Sequence, residues 1–169
     1  YTLSLHDALP IYVDGFSEEA ASKVIASYKN TVDGHESDVI SSAVEAVDAS
    51  GKALGYIFNI TTSKGYGGDI QLTVGIQSDG TVSGYSVLSI SETAGLGMKA
   101  KEADFKDQFK DKNVEKFTYT KTGESGDDMI DAISGATITT NAVTDGVNAG
   151  VYYFQTMLQQ GAGEGAANE

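Results

Sequence analysis

The residues of this chain best suited to chemistry form one short run, Asp131-Ala132-Ile133-Ser134-Gly135-Ala136-Thr137-Ile138-Thr139, that leads into a long apolar periodicity. From Ile138 the apolar positions Ala142, Val143, Val147, Val151, Phe154, Met157 and Leu158 share one helical face, which puts the run just before and inside the first turn of a helix. Backbone N–H groups there lack intrahelical acceptors and the macrodipole is positive, so an anion is stabilised. Small residues at Ser134, Gly135 and Ala136 let a phosphate approach the backbone closely. The chain has no Arg, so no guanidinium fork is available to clamp a phosphate, and backbone amides with a few Lys would have to serve. The same residues also read as ordinary helix punctuation, with Ser and Thr as caps and Gly-Ala as a close turn. On the residues alone both readings stand.

Other chemistries find less support. His6 sits in an atypical leader, and His35, in the acidic stretch Asp33-Gly34-His35-Glu36-Ser37-Asp38, cannot make a zinc site alone in a chain without Cys. No G-x-S-x-G nucleophile elbow is present. Asp127, Asp128 and Asp131 lack the ligand spacing of a calcium loop and read as a solvated acidic turn. No metal site and no catalytic residue are expected. The formal charge of -13 repels nucleic acid and anionic headgroups. The absence of Cys excludes disulfides and thiolate chemistry and is compatible with an oxidising compartment.

A chain of 169 residues is about one domain by the usual size range. Its first eleven residues, YTLSLHDALPI, are unlike the rest of the chain and resemble translated sequencing-adapter read-through. Residues 161–169, all Gly, Ala, Asn and Glu, read as a disordered tail, leaving residues 12–160 as the domain. No stretch approaches the roughly 20 apolar residues of a membrane-spanning helix. Ser17 with Glu18 and Glu19 predicts a capped helix running to about Lys29, followed by a loop. Val39–Val47 and Ala53–Thr62 are predicted to pair as a hairpin around Asp48-Ala49-Ser50-Gly51. After Gly65-Tyr66-Gly67-Gly68, the alternation of Ile70, Leu72, Val74 and Ile76 predicts a half-buried strand, turned by Ser78-Asp79-Gly80 into Thr81–Ile90. A short amphipathic helix over Ala100–Phe109, a strand over Val114–Thr120, a loop and the long core helix complete the chain. Hairpins with helices before and after predict an α+β fold, an antiparallel-rich twisted sheet with flanking helices and a long C-terminal core helix.

The string DAISGATITT resembles the flavinylation motif of the FMN-binding domain family, which includes the G subunit of the Rnf electron-transport complex and the C subunit of the Na+-translocating NADH:quinone oxidoreductase. A second segment, Ser91-Glu92-Thr93-Ala94-Gly95-Leu96-Gly97, resembles the family's ETPGLG loop, and Lys64–Ile76 resembles the strand region before it. The resemblance runs from about Gly55 to Tyr153, and around ETAGLGMKA it looks more like the Rnf protein. It implies FMN held covalently by a phosphoester to Thr137, with Ser134, Gly135, Ala136 and Thr139 binding the cofactor around it and Asp131 serving recognition by an FAD-dependent flavin transferase. It also implies that the loop at Glu92–Gly97 lies against the flavin ring: Thr93 bonds a ring atom, Leu96 covers a face, and the amides freed by Gly95 and Gly97 bond ring carbonyls. The loop should then meet Thr137 in space. Lys99 and Lys101 read as surface lysines, with a place near the flavin as the alternative.

The function implied is that of an electron-carrier subunit without a substrate site of its own, in an Rnf-type ion-translocating ferredoxin:NAD oxidoreductase. Its partners would be other subunits of a membrane redox complex, its location the extracytoplasmic face of the bacterial cell membrane, and its anchor an N-terminal helix not present in this sequence. Alternatives are a stand-alone exported flavoprotein and, from a different class, a secreted binding module whose SGAT is only a cap. One departure is Ala94, where the family usually has Pro.

Overall fold

Every second residue of two neighbouring strands, joined by a third whose register shifts once, builds the core wall of the sheet. Phe58, Ile60 and Thr62 pair with Val74, Leu72 and Ile70, and Ile40 and Ala43 pair with Ile60 and Phe58 from the other side. All are buried. The computed structural model describes residues 23–26, 30–32, 35–48 and 50–159. In chain order these form β1 (Lys23–Ala26), β2 (Asn30–Val32), β3 (His35–Val47), β4 (Ala53–Thr62), β5 (Ile70–Gln77) and β6 (Val82–Ser89). Then come α1 (Ala103–Lys106), between 3-10 turns at Gly97–Lys101 and Asp107–Phe109, β7 (Thr118–Thr120), β8 (Met129–Asp131) and α2 (Thr137–Tyr153), which continues into a π-helical turn at Phe154–Leu158. The sheet runs β1-β3-β4-β5-β6, all antiparallel, with β2 also on β3, while β7 and β8 pair in parallel apart from it.

Both hairpins expected from the sequence are present. Asp48 fastens the first turn, its Oδ1 accepting the Ser50 N–H at 2.8 Å and the Lys52 N–H at 3.0 Å. The Ser50 hydroxyl also donates to that oxygen, and this bond, with the Lys52 amide next, holds the Asp48 carboxyl below the usual carboxylate range.

The long helix α2 has poor intrinsic propensity, being rich in Thr, Val and Gly, so its stability comes from packing. Val143, Val147 and Val151 are buried, each stabilising by roughly 1.5–3 kcal/mol relative to exposure. Gly146 and Gly150, one turn apart, let the helix lie close on the sheet: a Cβ on either would stand 3.1 Å from Leu72 or Ile60 respectively. Buried Thr140 and Thr144 donate their hydroxyls to carbonyls one turn back, Ala136 and Thr140, at 3.0 and 2.8 Å. The same core continues into Tyr85, Phe105, Phe109 and Phe117, which meet through edge-on ring contacts 5.0–5.7 Å apart. Asn148 joins Phe117 to α2, accepting its N–H at 2.8 Å and donating to its carbonyl at 2.9 Å.

Several expectations need correction. Within the helix expected over Ser17–Lys29, Lys23–Ala26 is a strand paired with β3, because β-branched Val24 and Ile25 find a sheet edge to extend. The loop expected next contains β2 and the start of β3 at His35. The helix over Ala100–Phe109 is broken into a 3-10 turn, one α turn and another 3-10 turn, Glu102 being extended. The strand expected over Val114–Thr120 shortens to Thr118–Thr120, and its partner Met129–Asp131 lies in a segment read as loop. The leader 1–11, the tail 161–169 and the rest of the first helix lie outside the described residues.

Candidate functional site

Three connections converge on the N-terminal end of α2. The first is the turn before it. Gln108 grips the backbone of Asp131 at the end of β8, accepting its N–H at 2.6 Å and donating to its carbonyl at 3.3 Å. The Ala132 N–H reaches the Thr120 carbonyl at 2.8 Å, and the Ile133 N–H reaches the Thr140 hydroxyl at 3.0 Å. The chain then reverses through Ile133–Ala136, closed by the Ala136 N–H on the Ile133 carbonyl at 3.0 Å with Gly135 at φ +75°. An L side chain is disfavoured at that φ. Thr137 is the first helical residue, as the sequence predicts. The cap position is Ala136, and no side chain caps the helix, so neither Ser134 nor Thr137 serves as a cap. The first amide satisfied within the helix is that of Thr140, on Ala136; those of Thr137, Ile138 and Thr139 meet no backbone acceptor among the described residues.

The second connection is the loop after β6. The Thr93 carbonyl accepts the N–H groups of Leu96 and Met98 at 3.1 and 3.2 Å, a turn in which Gly95 takes the third place at φ +75°. That is the type II pattern, which favours Pro at the second place, held here by Ala94. Ala94→Pro is accordingly expected to stabilise the chain by about 0.4–1 kcal/mol through the unfolded state. Thermal unfolding of the two proteins side by side checks it, and a lower melting temperature for the Pro variant would contradict the turn assignment.

The third connection is the glycine-rich stretch between β4 and β5. Glu92 ties it to the other two: its Oε1 accepts the Gly67 N–H at 2.7 Å and its Oε2 accepts the Thr139 hydroxyl. The carboxylate is buried, 8% exposed. Gly97 packs directly on this pair, since a Cβ there would fall on the Thr139 hydroxyl, 2.7 Å from the Glu92 Cβ and 2.8 Å from its Oε2.

Between these connections lies a cleft of about 590 Å³, lined by Tyr66, Glu92, Thr93, Leu96, Gly97, Gly135, Ala136, Thr137, Ile138 and Thr139. That volume is in the range of small-molecule sites. The structure thus brings Glu92, Thr93, Leu96 and Gly97 to the same cleft as Gly135, Ala136, Thr137 and Thr139, across about 40 residues of sequence. Gly95 is not on its wall and acts through the turn. Ser134 and Asp131 line a neighbouring cleft of about 290 Å³ with Lys99, Glu102, Asp104, Phe105 and Gln108. Lys99 therefore belongs to that second cleft, and Lys101 is exposed and lines neither.

Two wall residues escape the sequence reading. Ile138, placed on the helix's core face by periodicity, is 53% exposed and turns to the cleft, and Tyr66, in the glycine break, is 71% exposed. The available signal for Tyr66 is an aromatic residue alone among glycines.

The site is shaped for a ligand with a flat apolar part and an anionic end: exposed apolar side chains on its walls, free helix amides at one side, and glycine at 135, where a Cβ would stand 3.1 Å from Leu96. These features fit a flavin mononucleotide.

The chain belongs to the FMN-binding domain family, whose model matches residues 65–151. Among relatives, the G subunit of the proton-translocating ferredoxin:NAD(+) oxidoreductase complex of Clostridium ljungdahlii is 42% identical over 111 residues, covering 66% of this chain and 59% of that protein. The G subunit of the Na(+)-translocating ferredoxin:NAD(+) oxidoreductase complex of Acetobacterium woodii is 37% identical over 111 residues, covering 64% and 53%. The crystal structure of Shewanella oneidensis NqrC shares the fold, with a TM-score of 0.57 and 25% identity over 70% of this chain and 59% of that one. The chain spans less than two thirds of the length of each of these relatives.

Proposed function

We propose that this chain is a flavin electron-transfer domain of the Rnf G type, carrying FMN as a phosphoester on Thr137 within an Rnf-type ion-translocating ferredoxin:NAD oxidoreductase. The observation that carries the proposal is the meeting of Thr137 with Glu92–Gly97 on one cleft. The Thr137 hydroxyl attacks the flavin-side phosphorus of FAD on a flavin transferase. A P–O bond forms, the pyrophosphate bond breaks, AMP leaves and the hydroxyl proton passes to the transferase, so the protein gains FMN less one water. When bound, FMN supplies the capacity to accept and release electrons one or two at a time.

The chain's residues hold and orient it. The free amides of Thr137, Ile138 and Thr139 and the helix dipole stabilise the remaining phosphate charge by roughly 0.3–1 kcal/mol, about 2 where partly buried. Leu96 and Ile138 cover apolar ring surface, Thr93 offers a hydroxyl to the ring edge, and Gly97 lets the loop pack on Glu92 and Thr139. A domain at -13 without Arg would bind free FMN against its own field. A covalent tether removes that difficulty by keeping the flavin at high effective concentration. The exposed Asp131 carboxylate, in the neighbouring cleft, is the handle for the transferase.

By the same reading the domain works on the extracytoplasmic face of the membrane beside the other subunits. Among the described residues no helix is long and apolar enough to cross a membrane. Coexpression with a flavin transferase, followed by intact mass and ultraviolet fluorescence of the denatured band, tests the reading. One flavin per chain is expected. A band without flavin would leave a binding module, and flavin in a protein that never copurifies with Rnf subunits would mark a stand-alone carrier.

A further inference from the structure

We propose that Tyr66 forms the second wall of the ring site, stacking its phenol ring on the flavin opposite Leu96 and Ile138, and that Glu92 is the positioning residue that holds it there. The proposal rests on the flavin reading of the cleft. Among the described residues the large hydrophobic side chains left exposed are Tyr66 at 71%, Ile138 at 53%, Leu96 at 40% and Tyr152 at 37%, and the first three line one cleft. Apolar side chains gathered in this way mark a binding surface. They come from two connections and the first turn of α2, so a ligand between them would be held from more than one side. Leu96 and Ile138 present aliphatic faces. Tyr66 alone presents a flat π-system, the partner that a flat heteroaromatic ring stacks on best.

A tyrosine among three glycines would wander unless its backbone were fixed. Glu92 fixes it: the N–H of Gly67, directly after Tyr66, donates to the buried Glu92 carboxylate at 2.7 Å, and the other carboxylate oxygen is held by Thr139 of α2. On the preceding side, a Cβ at Gly65 would stand 3.0 Å from Glu92 Oε1, and a Cβ at Gly67 would collide with the Ser91 carbonyl. The backbone on both sides of Tyr66 thus lies against the segment that begins the Glu92–Gly97 loop, leaving the phenol ring as the one large group this stretch offers to the cleft. Glu92 thereby places Tyr66.

The test uses the full chain flavinylated by coexpression, with intact mass recording loading and flavin fluorescence read before and after denaturation. A stacked tyrosine donates an electron to the excited ring and quenches it, which phenylalanine and leucine do not. Native wild type should be dim and brighten several-fold on denaturation. Tyr66→Phe and Tyr66→Leu should be brighter than wild type in the native state. The visible absorption bands should stay near wild type in Tyr66→Phe and move toward those of free flavin in Tyr66→Leu. Glu92→Ala should brighten as well, whereas Glu92→Gln, which still offers an oxygen to Gly67, should stay dim. Loaded Tyr66 variants as dim as wild type would overturn the stacking, and a dim Glu92→Ala would overturn its positioning role. Wild type without the mass adduct would instead bring down the flavin reading itself.

Discussion

Thr137→Val is expected to abolish flavin attachment completely while leaving the fold intact. The substitution removes one oxygen and keeps the branched shape at the first residue of α2. From sequence, Thr137 reads as a possible cap whose loss would weaken the helix by about 1 kcal/mol. The structure removes that cost, because the cap position is Ala136 and no side chain fills the role. A half-buried residue with no capping bond should change stability within about 0.5 kcal/mol. After coexpression with the transferase, wild type should carry FMN less one water and the Val variant should carry nothing. Ser134→Ala should remain labelled at least in part, since Ser134 lines the neighbouring cleft instead of the one that Thr137 faces. A fully labelled Val variant would refute Thr137 as acceptor.

Gly97→Ala should destabilise the fold and disturb the site together. Its Cβ would fall on the Thr139 hydroxyl and within 2.7–2.8 Å of the Glu92 side chain. Neither neighbour can yield freely, because Thr139 is 1% exposed on the packed helix and Glu92 is pinned at both oxygens. Overpacking of this kind costs about 1–3 kcal/mol. For a domain of this size that lowers the melting temperature by roughly 2–12 °C. The same strain should part Glu92 from Thr139 and loosen the cleft, so the labelled variant should also show altered flavin fluorescence. Wild-type stability together with a wild-type spectrum would mean that the three connections do not pack as tightly as described.

How much of the fold is legible in the sequence depends on which forces act locally. The two hairpins can be read because Asp48, Gly51, Asp79 and Gly80 fix turns within four residues and Ile70, Leu72, Val74 and Ile76 alternate, although β5 is buried on both faces instead of half-buried. The long helix can be read from its apolar spacing, although its Gly146 and Gly150 make sense only once Leu72 and Ile60 are seen against them. The parallel pair β7–β8 cannot be read, since Thr118–Thr120 and Met129–Asp131 are three residues each and are held by contacts distant in sequence, among them Gln108 on Asp131 and Asn148 on Phe117. Val24 and Ile25 mislead because the capping residues before them speak only for local preference, and the edge of β3 overrides it.

The site is legible as two motifs and a resemblance. Their convergence requires the fold. What no local rule supplies is the role of Glu92 as a buried clasp among three connections. Ile138 escapes for the opposite reason. Periodicity assigns it to the core face, but in the first turn Thr139 and Thr140 are the buried residues and Ile138 meets the cleft.

The central claim is that flavin is bonded to Thr137 at the N-terminal end of α2, facing the Glu92–Gly97 loop. Proteolysis of the flavinylated protein followed by peptide fragmentation tests it most directly, because fragments on either side of each hydroxyl locate the phosphoester to one residue. The account predicts the FMN mass on Thr137 alone. An adduct on Ser134 or Thr139, or no adduct on any peptide from a protein coexpressed with a competent transferase, would contradict it.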